Sequence, residues 1–297
     1  MGNDRQLSNH LFDRVAILGL GLMGGSLGLA LHAAGAARVV AGYDVAPGVA
    51  KRARARGAVD VACASSAQAV AGADLVVLAA PVVAIEQMMS AIAPHLSPEA
   101  VVTDLGSTKA AIMAESERAL PYPYQFVGGH PMTGSERSGI AAADASLYQG
   151  RPWCLVRAER TITAALERVQ ALAASVGARP LVVEAAAHDA AVATVSHLPL
   201  VAATALMLAA TESPAWALAR TLAAGGFRDT TRVASGDSQM ASDICLTNTQ
   251  PLLACLDAYL ATLRGLRDQI ARQDPSIEST FAKARRAREA WLAGTEQ

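Results

Sequence analysis

The chain has 297 residues, a formal net charge of −1, and 52% hydrophobic against only 4% aromatic residues. That length predicts two domains, each able to build its own core. The near-neutral charge excludes the basic footprint of a nucleic-acid binder. The four cysteines, Cys63, Cys154, Cys245 and Cys255, form no C-x-x-C pair and lack zinc-site spacing. They read as reduced core thiols of a cytoplasmic protein, and no metal is expected. The N-terminal MGNDRQLSNHLFDR has no apolar h-region, so no secretory leader is expected there.

The first element is the run from Arg14 to Asp44. Val15–Leu18 is apolar and short, as in a buried parallel strand. Gly19, Gly21 and Gly24 follow in G-x-G-x-x-G spacing, with Leu22 and Met23 between them and a helical run, Ser26–Ala34, after them. Gly19 permits the tight turn, Gly21 lets a pyrophosphate approach the backbone, and Gly24 allows helix and strand to pack closely. A helix N-terminus there favours the phosphates. The second strand, Arg38–Tyr43, ends at Asp44, an acid 20 residues past Gly24 and placed for the adenine-ribose hydroxyls. The ordered set predicts dinucleotide binding. Asp44 would repel a 2′-phosphate, favouring NAD over NADP; Arg52 and Arg54 fit a solvated helix face better than a phosphate site.

The pattern then predicts helices at Pro47–Arg56, Ala67–Ala71, Val82–Ile92, Lys109–Glu117 and Thr161–Ser175. Strands are predicted at Leu75–Ala79, Val101–Thr103, Gln125–Val127, Trp153–Val156 and Leu181–Glu184. Ala80 and Pro81, after the third strand, and Asp104, after the fourth, fall at the carboxyl edge where a cofactor binds in an open α/β sheet. Strands alternating with helices predict an α/β, Rossmann-type, mostly parallel sheet domain over residues 1–185. From His188 onward only helices are predicted, at His188–Thr211, Ala215–Ala224, Pro251–Gln273 and Pro275–Leu292, giving an all-helical second domain over 186–297. The apolar Ala190–Ala210 holds His197 and Pro199 between Asp189 and Glu212. It fits a buried helix in a helical or dimeric core better than a membrane span.

Four polar features need a reason. His130, after a strand and between Gly129 and Pro131, can accept a proton from a hydroxyl while a hydride leaves the same carbon, or can stabilise a tight loop. Ser107, at the same sheet edge, can bond a substrate hydroxyl and that imidazole, or cap the helix near Lys109. His197 can face a polar substrate, or be satisfied by the carbonyl that Pro199 frees. In the run Gly225–Arg232, Arg228, Asp229 and Arg232 can form an ion network, or one arginine can bind a carboxylate bidentately.

The chain resembles the prephenate/arogenate (cyclohexadienyl) dehydrogenases of tyrosine biosynthesis. The resemblance rests on Gly19–Ser26, Asp104-Leu105-Gly106-Ser107-Thr108-Lys109, Gly128-Gly129-His130-Pro131-Met132-Thr133-Gly134-Ser135-Glu136, Ser196-His197-Leu198-Pro199 and Phe227-Arg228-Asp229-Thr230-Thr231-Arg232. It implies oxidative decarboxylation of a cyclohexadienol, with NAD⁺ taking a ring hydride. His130 and Ser107 would be catalytic and Arg232 would bind the substrate carboxylate. His197 would lie at the substrate side chain, Glu136 at the cleft mouth, and Gly225 and Asp229 around the substrate. The helical domain would form a homodimer. Family members often carry a Met-Trp pair where this chain has Met240-Ala241, which leaves prephenate, arogenate and an amino analogue open as substrates. Other two-domain dehydrogenases, of the β-hydroxyacid or imine-reducing kind, usually put a lysine or a different polar pair on the helical half. A dinucleotide-sensing or scaffold protein that kept the fold would bind NAD without turnover, and His130, Ser107 and Arg232 together argue against it.

Overall fold

Apolar runs without alternation fold as strands covered on both faces. In the computed structural model, which describes residues 10–135 and 137–295, Val15–Leu18 of β1 (Phe12–Leu18) is fully buried. α1 (Leu22–Ala34) and β2 (Ala37–Tyr43) follow, then α2 (Val49–Ala55), the two-residue β3 (Val61–Ala62) and α3 (Ser66–Val70). β4 (Leu75–Leu78), α4 (Val82–Ile92), β5 (Val101–Asp104) and α5 (Ala110–Ala119) repeat the alternation. β6 (Phe126–Pro131), β7 (Pro152–Val156), α6 (Thr163–Ser175) and β8 (Arg179–Val182) complete one eight-stranded sheet in the order β3-β2-β1-β4-β5-β6-β7-β8. Every neighbouring pair is parallel except β6 with β7. The strand order reverses between β1 and β4, so their carboxyl ends open a crevice.

β6 runs past the expected Val127 and takes in His130, which pairs opposite Cys154. Gly129 makes this possible: a Cβ there would meet Trp153 Nε1 at 3.0 Å and Thr103 Oγ1 at 3.1 Å, so its absence lets β5 and β7 close on β6. β8 begins two residues before the expected Leu181. Its four residues are exposed and include Pro180, as an edge strand tolerates.

After the sheet come α7 (Ala185–Val192), a π turn over Ala193–His197, and α8 (Leu198–Thr211). The wide turn lies directly before Pro199, which has no N–H to continue an α-helical ladder. The 27-residue stretch Ala185–Thr211 is long and apolar enough to cross a membrane by length and composition. As a buried helix it is only half realised: His188, Asp189, Val192, Ala193, His197 and Ala203 are buried, while Val195, Leu206 and Leu208 are exposed. α9 (Trp216–Leu222), α10 (Gly225–Thr231), a 3₁₀ turn Arg232–Ser235 and α11 (Ser238–Thr247) follow. α10 and α11 were not expected from the pattern. The Gly-Gly start and threonines of α10 hide its helical character. α11 starts at an Asp237 N-cap that accepts from Met240 N at 2.8 Å.

The chain groups into two compact units, one ending at Thr249 and the other beginning at Gln250. The change from alternating to all-helical structure near residue 185 therefore falls inside the first unit. The second holds most of α12 (Thr249–Ala271) together with α13 (Ile277–Thr295). There the Gln269 amide bonds Ser276 Oγ and Thr280 Oγ1, while Leu263, Ile270, Phe281 and Trp291 are exposed.

Candidate active site

The glycine loop closes β1 onto α1. Gly19 has φ +93° and donates to Tyr43 O at 2.9 Å. A Cβ on Gly19 would collide with Ala79 O, and one on Gly24 with Gly19 O. Gly21 caps α1 with no side-chain partner, no acid stands in the first turn, and Gly21 has open space where a Cβ would be. Backbone N–H groups and the helix dipole thus meet at a bare end, a fit for a pyrophosphate. Asp44 closes the loop from β2. Its carboxylate accepts from Leu20 N at 2.7 Å and Ala46 N at 2.8 Å, and lines a groove shared with Lys51.

A cleft of about 560 Å³ opens beside the loop. Gly21, Leu22, Met23, Ala80, Pro81, Ser107 and His130 line it. Ser196, Ser235–Asp237, Met240 and Asp243 close it from the helical segments. Seven of the sequence-predicted residues thus share one cleft. Met240, of the Met-Ala pair, is on its wall. Gly19, Gly24 and Asp44 support the loop rather than line the cleft.

Behind His130 lies a hydrogen-bonded polar cluster. Asp104, expected at the cofactor, is buried and bonded within the protein and does not line the cleft. Its carboxylate accepts from Gly106 N at 2.7 Å and Gly129 N at 2.9 Å and pairs with the Lys109 ammonium, which also donates to Gly129 O at 2.7 Å. Lys109 is wholly buried, and desolvation lowers its pKa against the opposing pull of Asp104. Ser107 does not cap α5. Asp189 of α7 does so across space, accepting from Lys109 N at 2.8 Å and Ala110 N at 2.9 Å. His188 Nδ1 is 2.8 Å from Asp189 Oδ1, and His188 Nε2 is 2.8 Å from His130 Nδ1. Burial, the nearby Lys109 charge and the neighbouring His188 and His197 hold His130 well below the ordinary imidazole range. The ring is therefore neutral at physiological pH and can accept a proton. The sequence reading missed His188, Asp189 and Lys109. The one available signal was a His-Asp pair at the head of an apolar helix.

The residues expected around the substrate are arranged differently. His197 is buried. Its Nδ1 accepts from Asn248 Nδ2 at 3.0 Å, so the partner is that amide and not a proline-freed carbonyl. His197 Nε2 is buried without a hydrogen-bond partner among the described residues. Gly225 and Asp229 are on α10 and Arg232 at its C-terminal end, none on the cleft wall. Arg228 and Asp229 form only a 3.9 Å surface pair. Arg232 is exposed and opens the 3₁₀ turn whose last residue, Ser235, reaches the wall. Glu136 lies outside the described residues.

A parallel sheet with a bare glycine-loop helix end, and a neutral imidazole facing the same cleft, define the class: an oxidoreductase with an NAD-type dinucleotide-binding domain. Two family models match the chain: the prephenate dehydrogenase nucleotide-binding domain over residues 27–182 and the prephenate dehydrogenase dimerization domain over 184–283. The cyclohexadienyl dehydrogenase of Zymomonas mobilis is 35% identical over 94% of this chain and 96% of its own. The structure of prephenate dehydrogenase from A. aeolicus in complex with hydroxyphenyl propionate and NAD⁺ is similar at TM-score 0.87 and 29% identity, covering 94% of this chain and 98% of the other. Synechocystis arogenate dehydrogenase is similar at TM-score 0.78 and 30% identity, covering 94% of this chain and 99% of its own. The chain belongs to the prephenate dehydrogenase family, which includes cyclohexadienyl and arogenate dehydrogenases.

Proposed function

We propose that this chain catalyses NAD⁺-dependent oxidative decarboxylation of prephenate to 4-hydroxyphenylpyruvate in tyrosine biosynthesis. The observation that carries the reading is the shared cleft: His130 and Ser107 stand on the same walls as Gly21–Met23 and Ala80–Pro81. NAD, held at Gly19–Gly24 and Asp44, supplies the hydride acceptor when bound. His130 takes the proton of the ring hydroxyl, and Ser107 orients that hydroxyl toward it. Arg232 binds a carboxylate, with Gly225, Asp229 and His197 around the substrate side chain and Glu136 at the mouth. Loss of CO₂ aromatises the ring, so the protein needs chiefly orientation, a base and a carboxylate clamp.

Arogenate is the second reading, giving tyrosine directly. Met240 on the cleft wall, followed by Ala241, leaves room beside the substrate side chain where the amino group of arogenate differs from the ketone of prephenate. The division of labour is assigned to residues 1–185 and 186–297, in keeping with family matches that part between 182 and 184. A homodimer through the helical domain is supported by the exposed Leu206, Leu208, Leu218, Leu222 and Leu246. A cytoplasmic location is supported by the buried thiols of Cys63 and Cys154.

The test is kcat/KM for prephenate and arogenate, side by side, with NAD⁺ and NADP⁺. NADH formation is expected, with prephenate preferred and NADP⁺ poor. No reduced cofactor from either acid would refute the assignment.

A further inference from the structure

The cluster behind His130 contains a chain of three side chains, Asp189, His188 and His130, joined by hydrogen bonds. It starts at Asp189. Burial pushes this carboxyl up, but hydrogen bonds from His188 and from Ala110 N and Lys109 N outweigh that and hold it below the usual carboxylate range. An ionised carboxylate can only accept. His188 Nδ1, 2.8 Å from Asp189 Oδ1, must therefore carry a proton. When His188 carries that proton alone, its Nε2 is an acceptor, and the atom facing it at 2.8 Å, His130 Nδ1, is the donor. This leaves His130 Nε2 with the lone pair, on a residue that lines the cleft.

We propose that His188 and Asp189 are positioning residues that hold His130 in its Nδ1–H tautomer, so that Nε2 is the proton acceptor presented to the substrate. The inference rests on the reading of His130 as the base. In the step, the substrate O–H bond breaks and a His130 Nε2–H bond forms. The resulting imidazolium keeps its Nδ1–H···Nε2 bond to His188, whose own Nδ1–H faces the Asp189 charge. As the C–H hydride goes to NAD⁺ and CO₂ leaves, electrons return to the same oxygen and the proton passes back to it from Nε2, so the substrate is oxidised, NAD⁺ is reduced and no net proton is released. With no partner at Nδ1, a neutral histidine prefers the opposite, Nε2–H form, which presents a donor to the substrate hydroxyl and cannot take its proton. Without this role, Asp189 would merely cap α5 and His188 would merely fill space between α7 and β6.

Two measurements separate these roles. In the full-length enzyme with isotope-labelled histidine, ring nitrogen NMR shifts at a pH where His130 is neutral should show it as Nδ1–H. This needs no variant. In His188→Ala the ring should shift to Nε2–H and kcat should fall about 10–100-fold with KM little changed, the usual effect of removing an orienting group. His188→Gln, whose Oε1 can accept from His130 Nδ1–H, should restore most of the rate. His130 as Nε2–H in the wild type, or His188→Ala with lowered stability but unaltered kcat and tautomer, would overturn the proposal. If instead His130→Asn kept full activity, the base assignment would fail while the tautomer result stood by itself.

Discussion

The two groups of charged residues that the proposed activity calls on are built in opposite ways. Behind His130, Asp104, Lys109, His188 and Asp189 have side chains 0–3% exposed and bonded to backbone or to each other. On α10, the side chains of Arg228 and Asp229 are 81% and 79% exposed and lie 3.9 Å apart, and Arg232 at the helix end is exposed. The first arrangement fixes the proposed base, His130, before substrate arrives, so its orientation is settled when the chain folds. The second presents charge to water, where it can attract an acid and is screened by salt. Damage to the buried group should therefore appear in rate or stability, and damage to the exposed group in affinity.

The widest separation is expected from His130→Asn. Loss of the general base should lower kcat by roughly 10²–10⁴ with KM little changed, as steady-state kinetics would show. Next comes Lys109→Met, which strands the buried Asp104 carboxylate and should cost about 3–5 kcal/mol of stability in denaturant unfolding. Adding Asp104→Asn should recover part of it; a single variant as stable as the parent would mean that the buried pair anchors nothing. Arg232→Gln should remove charge-assisted bonds worth about 1.5–3 kcal/mol, raising KM roughly 10–100-fold and sparing kcat. A fall in kcat alone would reverse the contrast. The smallest effect at neutral pH concerns His197, whose pKa burial lowers from 6.5 to about 4. Below 6.5 the unfolded chain binds a proton that the folded ring refuses, so stability is whole above that pH and drains as pH falls toward about 4. His197→Phe should flatten this part of the stability–pH curve, and an unchanged slope would exclude His197 as its source.

The same contrast governs what the sequence disclosed. β1, β4 and β5 were legible because burial on both faces demands unbroken apolar runs, and the glycine loop because its spacing answers a steric need. Seven cleft residues followed, since strand ends predict the sheet edge. α10 stayed hidden behind Gly225 and Gly226, whose low propensity is overridden by packing. The buried pairing of Asp104 with Lys109 was not legible, because an acid at a strand end looks the same whether it faces a ligand or a buried lysine. His188 escaped notice because its partner is 58 residues away and reaches it only when α7 packs against β6. Local pattern carries information about backbone and about ligand-shaped gaps; hydrogen bonds between distant side chains become visible only once the chain is folded.

The central claim is that one small acid is held between His130 and Arg232 beside the glycine loop. A crystal structure of the enzyme with NAD⁺ and a phenolic carboxylic acid tests it most directly. The account predicts the ring hydroxyl about 2.6–3.2 Å from His130 Nε2 and the side-chain carboxylate on the Arg232 guanidinium. A ligand whose hydroxyl lies away from His130, or whose carboxylate is held by another cation with Arg232 left in solvent, would contradict it.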